Sequence, residues 1–201
     1  MLPTYYECSS CRERFDFKFR EAYYHLGPTL MGNRVDDKDL LDVPVRPAWC
    51  KDCGSVSIVE DIAPLRTFEA AYGAVRSGRP AEYPFSSECW EPADATRVFG
   101  AYLRWRMERR HAARTLCCGG LNYQFMDVET PLIKHAECDF GFINGMCSIS
   151  SYNGPGLGVR APANIRVYTA EGELMGLLTW RHQDEGQWDL EKLSYQPPVD
   201  E

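Results

Sequence analysis

The sequence predicts an α+β protein. Three observations carry this: cysteine pairs at Cys8/Cys11 and Cys50/Cys53, apolar residues at helical spacing between about 63 and 115, and, beyond Cys117, a glycine-rich stretch of short β-like runs. The chain divides accordingly. Residues 1–62 form a cysteine-clasped β unit with a long insertion, 63–115 a helical middle, and 116–201 a second β-rich part ending in a disordered acidic tail.

Residues 3–8 read as a strand entering the first cysteine pair. Phe15, Phe17 and Phe19 alternate with Asp16, Lys18 and Arg20, the period of a strand with one buried face. Between the pairs, Gly27-Pro28, Gly32-Asn33, Pro44 and Pro47 predict loop, with a short helix around Asp37–Leu41. Ser55–Ile62 reads as a strand. Pro64 then opens a helix, with Leu65, Phe68, Ala71, Tyr72 and Val75 on one stripe, and Gly78-Arg79-Pro80 ends it. Residues 79–92 form an irregular linker. A second helix runs from about Ala93 to Arg114, striped by Val98, Tyr102 and Trp105. Gly154-Pro-Gly-Leu-Gly158 reads as a flexible loop, lacking the lysine and strand-to-helix context of a phosphate loop. Ile165–Trp180 reads as a hairpin and Trp188–Tyr195 as a further short element. The tail from Gln196 to Glu201 is rich in proline and acid.

With 44% apolar and 12% aromatic residues in 201, the chain can bury a core. No apolar run is long enough to span a membrane, and Met1–Cys8 lacks the pattern of a secretion signal. Nine cysteines, an odd number, fit thiolates on metal in a reducing cytoplasm better than a disulfide framework. The net charge of −7 opposes general binding to nucleic acid and is compatible with a protein partner.

Two thiols separated by two residues chelate one ion through a tight turn, and two such turns complete a tetrahedral shell. Cys8, Cys11, Cys50 and Cys53 are therefore expected to hold one structural zinc, making residues 1–62 a zinc ribbon with an insertion from Arg12 to Trp49. Gly54 suits the turn after the second pair. Neither pair opens a clear helix, which argues against a thioredoxin-like site.

A second group is Cys117-Cys118-Gly119-Gly120 with His135 and Cys138. Between Trp105 and Phe142 the sequence resembles small bacterial zinc-ribbon proteins of unassigned function, in which a basic helix end leads into Cys-x-x-Cys-Gly, a strand pair and His-Pro-x-Cys-Gly. The chain departs from that pattern at Thr115, Ala136 and Gly141. The resemblance implies a second zinc site of Cys118, His135 and Cys138, with Cys117 a strained fourth ligand because neighbouring cysteines meet one ion at poor angles. A degenerate ribbon without metal is the other reading.

Arg104, Arg106, Arg109, Arg110, His111 and Arg114 crowd the end of the second helix, opposed by Glu108 alone. They are either a face for phosphate or an acidic partner, or a solvated helix end whose cations suit the helix dipole. Asp36, Asp37 and Asp39 read as solvated surface, Cys89 and Cys147 as buried small apolar residues, and His25 and His182 as ordinary polar contacts.

The function expected from these features is that of a non-catalytic, zinc-stabilised cytoplasmic protein that binds another protein. An inhibitor of a toxic effector, such as an immunity protein, is one form of this class. Two alternatives stay open: a nucleic-acid-associated zinc ribbon using the arginine-rich helix end, and a zinc-dependent hydrolase at Cys118, His135 and Cys138. Glu129 and Glu137 would be the latter's nearest carboxylates.

Overall fold

β-branched and aromatic residues build short strands throughout the chain. In order these are β1 (Tyr5–Cys8), β2 (Arg14–Asp16), β3 (Tyr23–His25), β4 (Arg34–Asp36), β5 (Leu40–Asp42), β6 (Val45–Cys50), β7 (Ser55–Glu60), then helices α1 (Leu65–Arg76) and α2 (Pro92–Glu108). After the helices come β8 (Tyr123–Phe125), β9 (Ile133–Lys134), β10 (Phe142–Met146), β11 (Ile165–Thr169), β12 (Leu174–His182) and β13 (Gln187–Lys192). The structure is a computed structural model that describes residues 5–16, 22–28, 32–126, 133–146 and 165–192. Phe17, Phe19, Glu129, Cys147, the loop at 154–158 and the tail from 196 lie outside the described residues.

The strands form three sheets, ordered β2-β1-β10-β9, β4-β13-β12-β11-β3-β5 and β7-β6-β8. Each sheet takes strands from both sides of the helices. The ribbon expected within residues 1–62 and the one expected within 116–201 are therefore not separate β units. β1 is antiparallel to β10, with Cys8 opposite Ile143, and β3 is parallel to β11. Sheet hydrogen bonds join residues far apart in sequence and tie the first sixty residues to the last ninety.

The region between the first two cysteine pairs is more ordered than its prolines and glycines suggest. The short helix expected around Asp37–Leu41 is a 3-10 helix at Asp37–Asp39, and much of the expected loop is instead the strands β3, β4 and β5. These strands are only three residues long, too short to show a period. Their partners in β11 and β13 stabilise them.

Both helices form. Phe68, Ala71 and Val75 of α1 are buried, and α1 packs on α2 near Phe99 and Gly100. A Cβ at Gly100 would lie 3.3 Å from the Tyr72 ring, so glycine permits close approach there. Trp105 of α2 donates from Nε1 to the Ala170 carbonyl at 2.9 Å, and the Tyr102 hydroxyl donates to the Asp42 carbonyl. Those two bonds pin α2 to the six-stranded sheet.

α2 ends at Glu108, not at Arg114. Arg109 is already extended, at φ −66 and ψ 126. Its guanidinium turns inward, donating to Glu60 Oε2 at 2.6 Å and to the Ala170 carbonyl at 3.2 Å. Residues 114–116 then run beside β7, with Glu60 N bonded to Arg114 O and Leu116 N to Ile58 O. Both side chains of the Glu60–Arg109 pair are fully buried. The carboxylate also accepts from the Tyr24 hydroxyl and, at 3.0 Å, from the Arg114 backbone N–H. Burial, and then the Glu60 carboxylate beside it, push the Tyr24 hydroxyl far above its usual range, so it remains a donor. Gly172 (φ +82) closes over this group. A Cβ there would stand 2.8 Å from Glu60 Oε1.

Candidate metal centres

Four turns carry ligand-type residues, and the sheets bring them together in a nested order. The β1–β2 turn carries Cys8 and Cys11, and the β9–β10 turn carries His135 and Cys138. Because β1 and β10 are hydrogen-bonded neighbours, these turns face each other, and the four ligand atoms lie within 4.8 Å of one another. The β6–β7 turn carries Cys50 and Cys53, and the turn before β8 carries Cys117 and Cys118. β8 pairs with β6, placing Cys50 opposite Tyr123, and these four sulfurs also lie within 4.8 Å of one another. Each group can hold one metal ion. This corrects the expected pairing. Cys8 and Cys11 do not share a site with Cys50 and Cys53, and Cys117 and Cys118 do not join His135 and Cys138.

A tetrahedral ion with bonds to sulfur of about 2.3 Å separates its sulfurs by about 3.8 Å. In the inner group Cys50 to Cys118 and Cys53 to Cys117 are both 3.7 Å, and Cys117 to Cys118 is 3.9 Å. A disulfide would require about 2.05 Å, and these cysteines are free thiols. The neighbouring cysteines thus meet one point from two sides. Gly119, at φ +73, turns the chain back directly after Cys118. In the outer group Cys11 Sγ lies 3.4 Å from His135 Nδ1, near the separation of about 3.6 Å that one sulfur and one nitrogen take around a common ion. The other ring nitrogen, Nε2, lies 3.2 Å from Glu13 Oε2. A carboxylate there fixes the tautomer that leaves Nδ1 free to bind a metal.

The turns are shaped for thiolates. Arg12 (φ 65) and Gly54 (φ 58) stand in the left-handed region directly after Cys11 and Cys53, as Gly119 does after Cys118. Arg12 adopts there a conformation that an L side chain disfavours. Gly141 lies against the outer group so closely that a Cβ would meet Cys8 Sγ at 2.2 Å and Cys138 Sγ at 2.9 Å. Cys118 is pushed down to about 7, first by the Thr115 hydroxyl 3.4 Å away and also by the Gly120 N–H. Cys138 is likewise pushed down to about 7, first by the Ser10 hydroxyl and then by the Phe140 N–H. Donors aimed at a sulfur favour its charged form. Cys53 moves the other way, raised by burial and then by hydrogen bonds with the other thiols of its group. A cation among the four would offset that cost.

Glu13, Arg12 and Gly141 carry no cysteine or histidine motif, so their roles come only from the folded turns. Cys89 is exposed rather than buried and belongs to neither group. Asp36 and Asp37 are not open to a cation. Asp36 is held by Lys38 and Gln187, and Asp37 by Arg181 and the Trp188 indole. His182 Nε2 lies 3.0 Å from Asp189 Oδ1.

The arginine-rich stretch divides. Arg109 is buried in the Glu60 pair. Arg106 is half-buried and donates to the Ala63 carbonyl at 3.3 Å. Arg114 is half-buried, its Nη1 within 3.7 Å of where a Cβ on Gly119 would lie. Arg104 and Arg110 are exposed. The stretch does not form one basic face.

No helix among the described residues is long and apolar enough to cross a membrane. No protein-family model, curated protein or solved structure matches the chain.

Proposed function

We propose that this chain is a non-catalytic, cytoplasmic protein-binding protein in which two zinc ions act as structural cross-links, one in each four-ligand group. The observation that carries this reading is the tetrahedral spacing of the four inner sulfurs, matched by the three-sulfur, one-nitrogen outer set. Thiolate-rich tetrahedral sets suit zinc, and four protein ligands leave no coordination position for a reacting water. That counts against a hydrolase at Cys118, His135 and Cys138, which in addition lie in different groups.

A protein partner is supported by an exposed apolar patch beside the outer centre. Phe140 is 85% exposed, and Phe142 and Met146 stand on one face of β10 with 42% and 38% exposure. Tyr5 of β1 lies opposite Met146 on that face. Patches of this kind mark contacts with other proteins more than with phosphate backbones. The net charge of −7 and the division of the arginines weigh against nucleic acid. A basic toxic effector is one partner that this charge would favour.

Two measurements test the reading. Elemental analysis of unchelated protein should give two zinc ions per chain; fewer than two, or iron in their place, overturns the structural assignment. Capture from the native host should retain a protein that the double variant Phe140→Asp/Phe142→Asp no longer retains. Tight binding to random DNA or RNA at about 150 mM salt, lost in Arg104→Ala/Arg110→Ala, would favour the nucleic-acid reading instead.

A further inference from the structure

The two metal groups differ in how they meet solvent. In the inner group Cys53, Cys117 and Cys118 are exposed and Cys50 is buried. In the outer group Cys8 and His135 are buried, Cys138 is half-buried and Cys11 is exposed. The contacts divide in the same way. Cys53 and Cys117 meet at 3.7 Å in an exposed contact, whereas the Cys50–Cys118 and Cys11–His135 contacts are partly buried. Gly141 also lies close against the sulfurs of Cys8 and Cys138, while nothing stands within 4 Å of where a Cβ on Gly54, directly after Cys53, would lie.

The thiolate is the nucleophilic form of cysteine, and its oxidation follows thiolate character and exposure. Metal binding requires deprotonated ligands, so the zinc proposed above, on which this site depends, holds the inner sulfurs as thiolates. Four ligands leave the ion no open position, and the reactive part of such a centre is its sulfur shell. Within the inner shell Cys53 and Cys117 are the pair placed to react together. They sit on separate turns, 64 residues apart, and their sulfurs need close only from 3.7 Å to the disulfide length of about 2.05 Å. Cys117 and Cys118 are also exposed and 3.9 Å apart. A disulfide between those chain neighbours would close a small ring around a peptide bond that resists leaving its trans form.

We propose that Cys53 and Cys117 form a peroxide-sensitive modification site through which the inner centre releases its zinc. The Cys117 thiolate attacks one peroxide oxygen, the O–O bond breaks, and hydroxide leaves, giving a sulfenic acid. The Cys53 thiolate then attacks the Cys117 sulfur, the S–S bond forms, and a second hydroxide leaves. Two solvent protons convert both hydroxides to water. The two sulfurs have passed two electrons to the peroxide, which is the oxidant. Cys50 and Cys118 alone do not complete a tetrahedral shell, so the zinc is released. The disulfide keeps the β6–β7 turn tied to the turn before β8, and reduction by a dithiol restores the four ligands.

The test uses the full chain carrying Cys89→Ser, which removes an exposed thiol outside both groups. Zinc content is measured first. Hydrogen peroxide is then titrated in the presence of a zinc-binding dye, and disulfides are mapped by mass spectrometry. Two zinc ions per chain should be present at the start, and one should be released as a Cys53–Cys117 disulfide forms. Cys8, Cys11 and Cys138 should stay reduced and keep the other ion. Dithiothreitol with added zinc should return the protein to two ions per chain. Fewer than two ions before peroxide overturns the zinc assignment and the modification site with it. With two ions present at the start, the modification site alone is overturned if neither ion is released, if the outer cysteines are oxidised before or together with the inner ones, or if the mapped disulfide lacks Cys53 or Cys117.

Discussion

At the residue scale, Glu60 and Arg109 show how a charged side chain becomes internal. Each is fully buried, and the carboxylate is saturated by Arg109, the Tyr24 hydroxyl and the Arg114 N–H. Arg109→Leu would leave that carboxylate buried and without its counter-charge. Chemical denaturation should show a loss of about 3–5 kcal/mol, much of it recovered when Glu60→Gln is added. A loss no larger than that of Arg110→Leu would contradict this account. His25 supplies the pH dependence. Burial lowers its folded pKa, with Asp39 opposing in part. The unfolded chain therefore takes up a proton at His25 near pH 6.5 while the folded chain does not, so stability falls as pH drops below about 6.5. The fall levels off once pH passes below the folded pKa. Thermal melts between pH 7.5 and 5 should show a smaller decline for His25→Gln than for the wild type. Parallel declines would place the effect elsewhere.

At the scale of elements, hairpin turns are the unit of the metal centres, and strand pairing decides which turns meet. β1 beside β10 joins Cys8 and Cys11 to His135 and Cys138. β6 beside β8 joins Cys50 and Cys53 to Cys117 and Cys118. Metal stoichiometry in double variants tests this pairing. Cys8→Ser with Cys138→Ser should lose one ion per chain, the same as either alone. Cys8→Ser with Cys117→Ser should lose both. If Cys8→Ser with Cys50→Ser lost only one, the two early pairs would share a site after all. The turns themselves were legible as ligand sources from the spacing of Cys8/Cys11, Cys50/Cys53 and His135/Cys138. Which turns pair was not, because each thiol pair is compatible with any other until the sheet register is set.

At the scale of the whole molecule, the chain is laced together from both ends. The four-stranded sheet alternates β2-β1 from the beginning with β10-β9 from the later part, and the other two sheets are mixed in the same way. Tyr24, Glu60, Arg109 and Ala170, from four separate stretches, meet in one buried group. A fragment of residues 1–62 would carry two cysteine pairs yet lack β10, β11 and β13, which pair with β1, β3 and β4, and half the ligands of each centre. It should remain unfolded by circular dichroism and amide exchange even with excess zinc, because strands this short need neighbours to be stable. A folded, zinc-binding fragment would restore the idea of an independent N-terminal ribbon.

The sequence by itself determined what is local. Helical spacing placed α1, with Pro64 at its start, and Val98, Tyr102 and Trp105 placed the body of α2. Short β-like runs placed β7 and the β11–β12 hairpin. Thiol spacing identified Cys8, Cys11, Cys50, Cys53, Cys117, Cys118, His135 and Cys138 as ligand-type residues, since chelation within one turn depends only on a few neighbouring positions. The tertiary structure decided everything that depends on distant partners. It pairs the turns in nested order, and it orders the segment from Tyr23 to Asp42 as strands through β11 and β13. It also ends α2 at Glu108, where Arg109 turns inward to the buried Glu60 carboxylate. Periodicity reports one face of one element. It carries no information about which face, turn or charge from elsewhere in the chain will lie against it, and in this protein those long-range contacts build both metal centres.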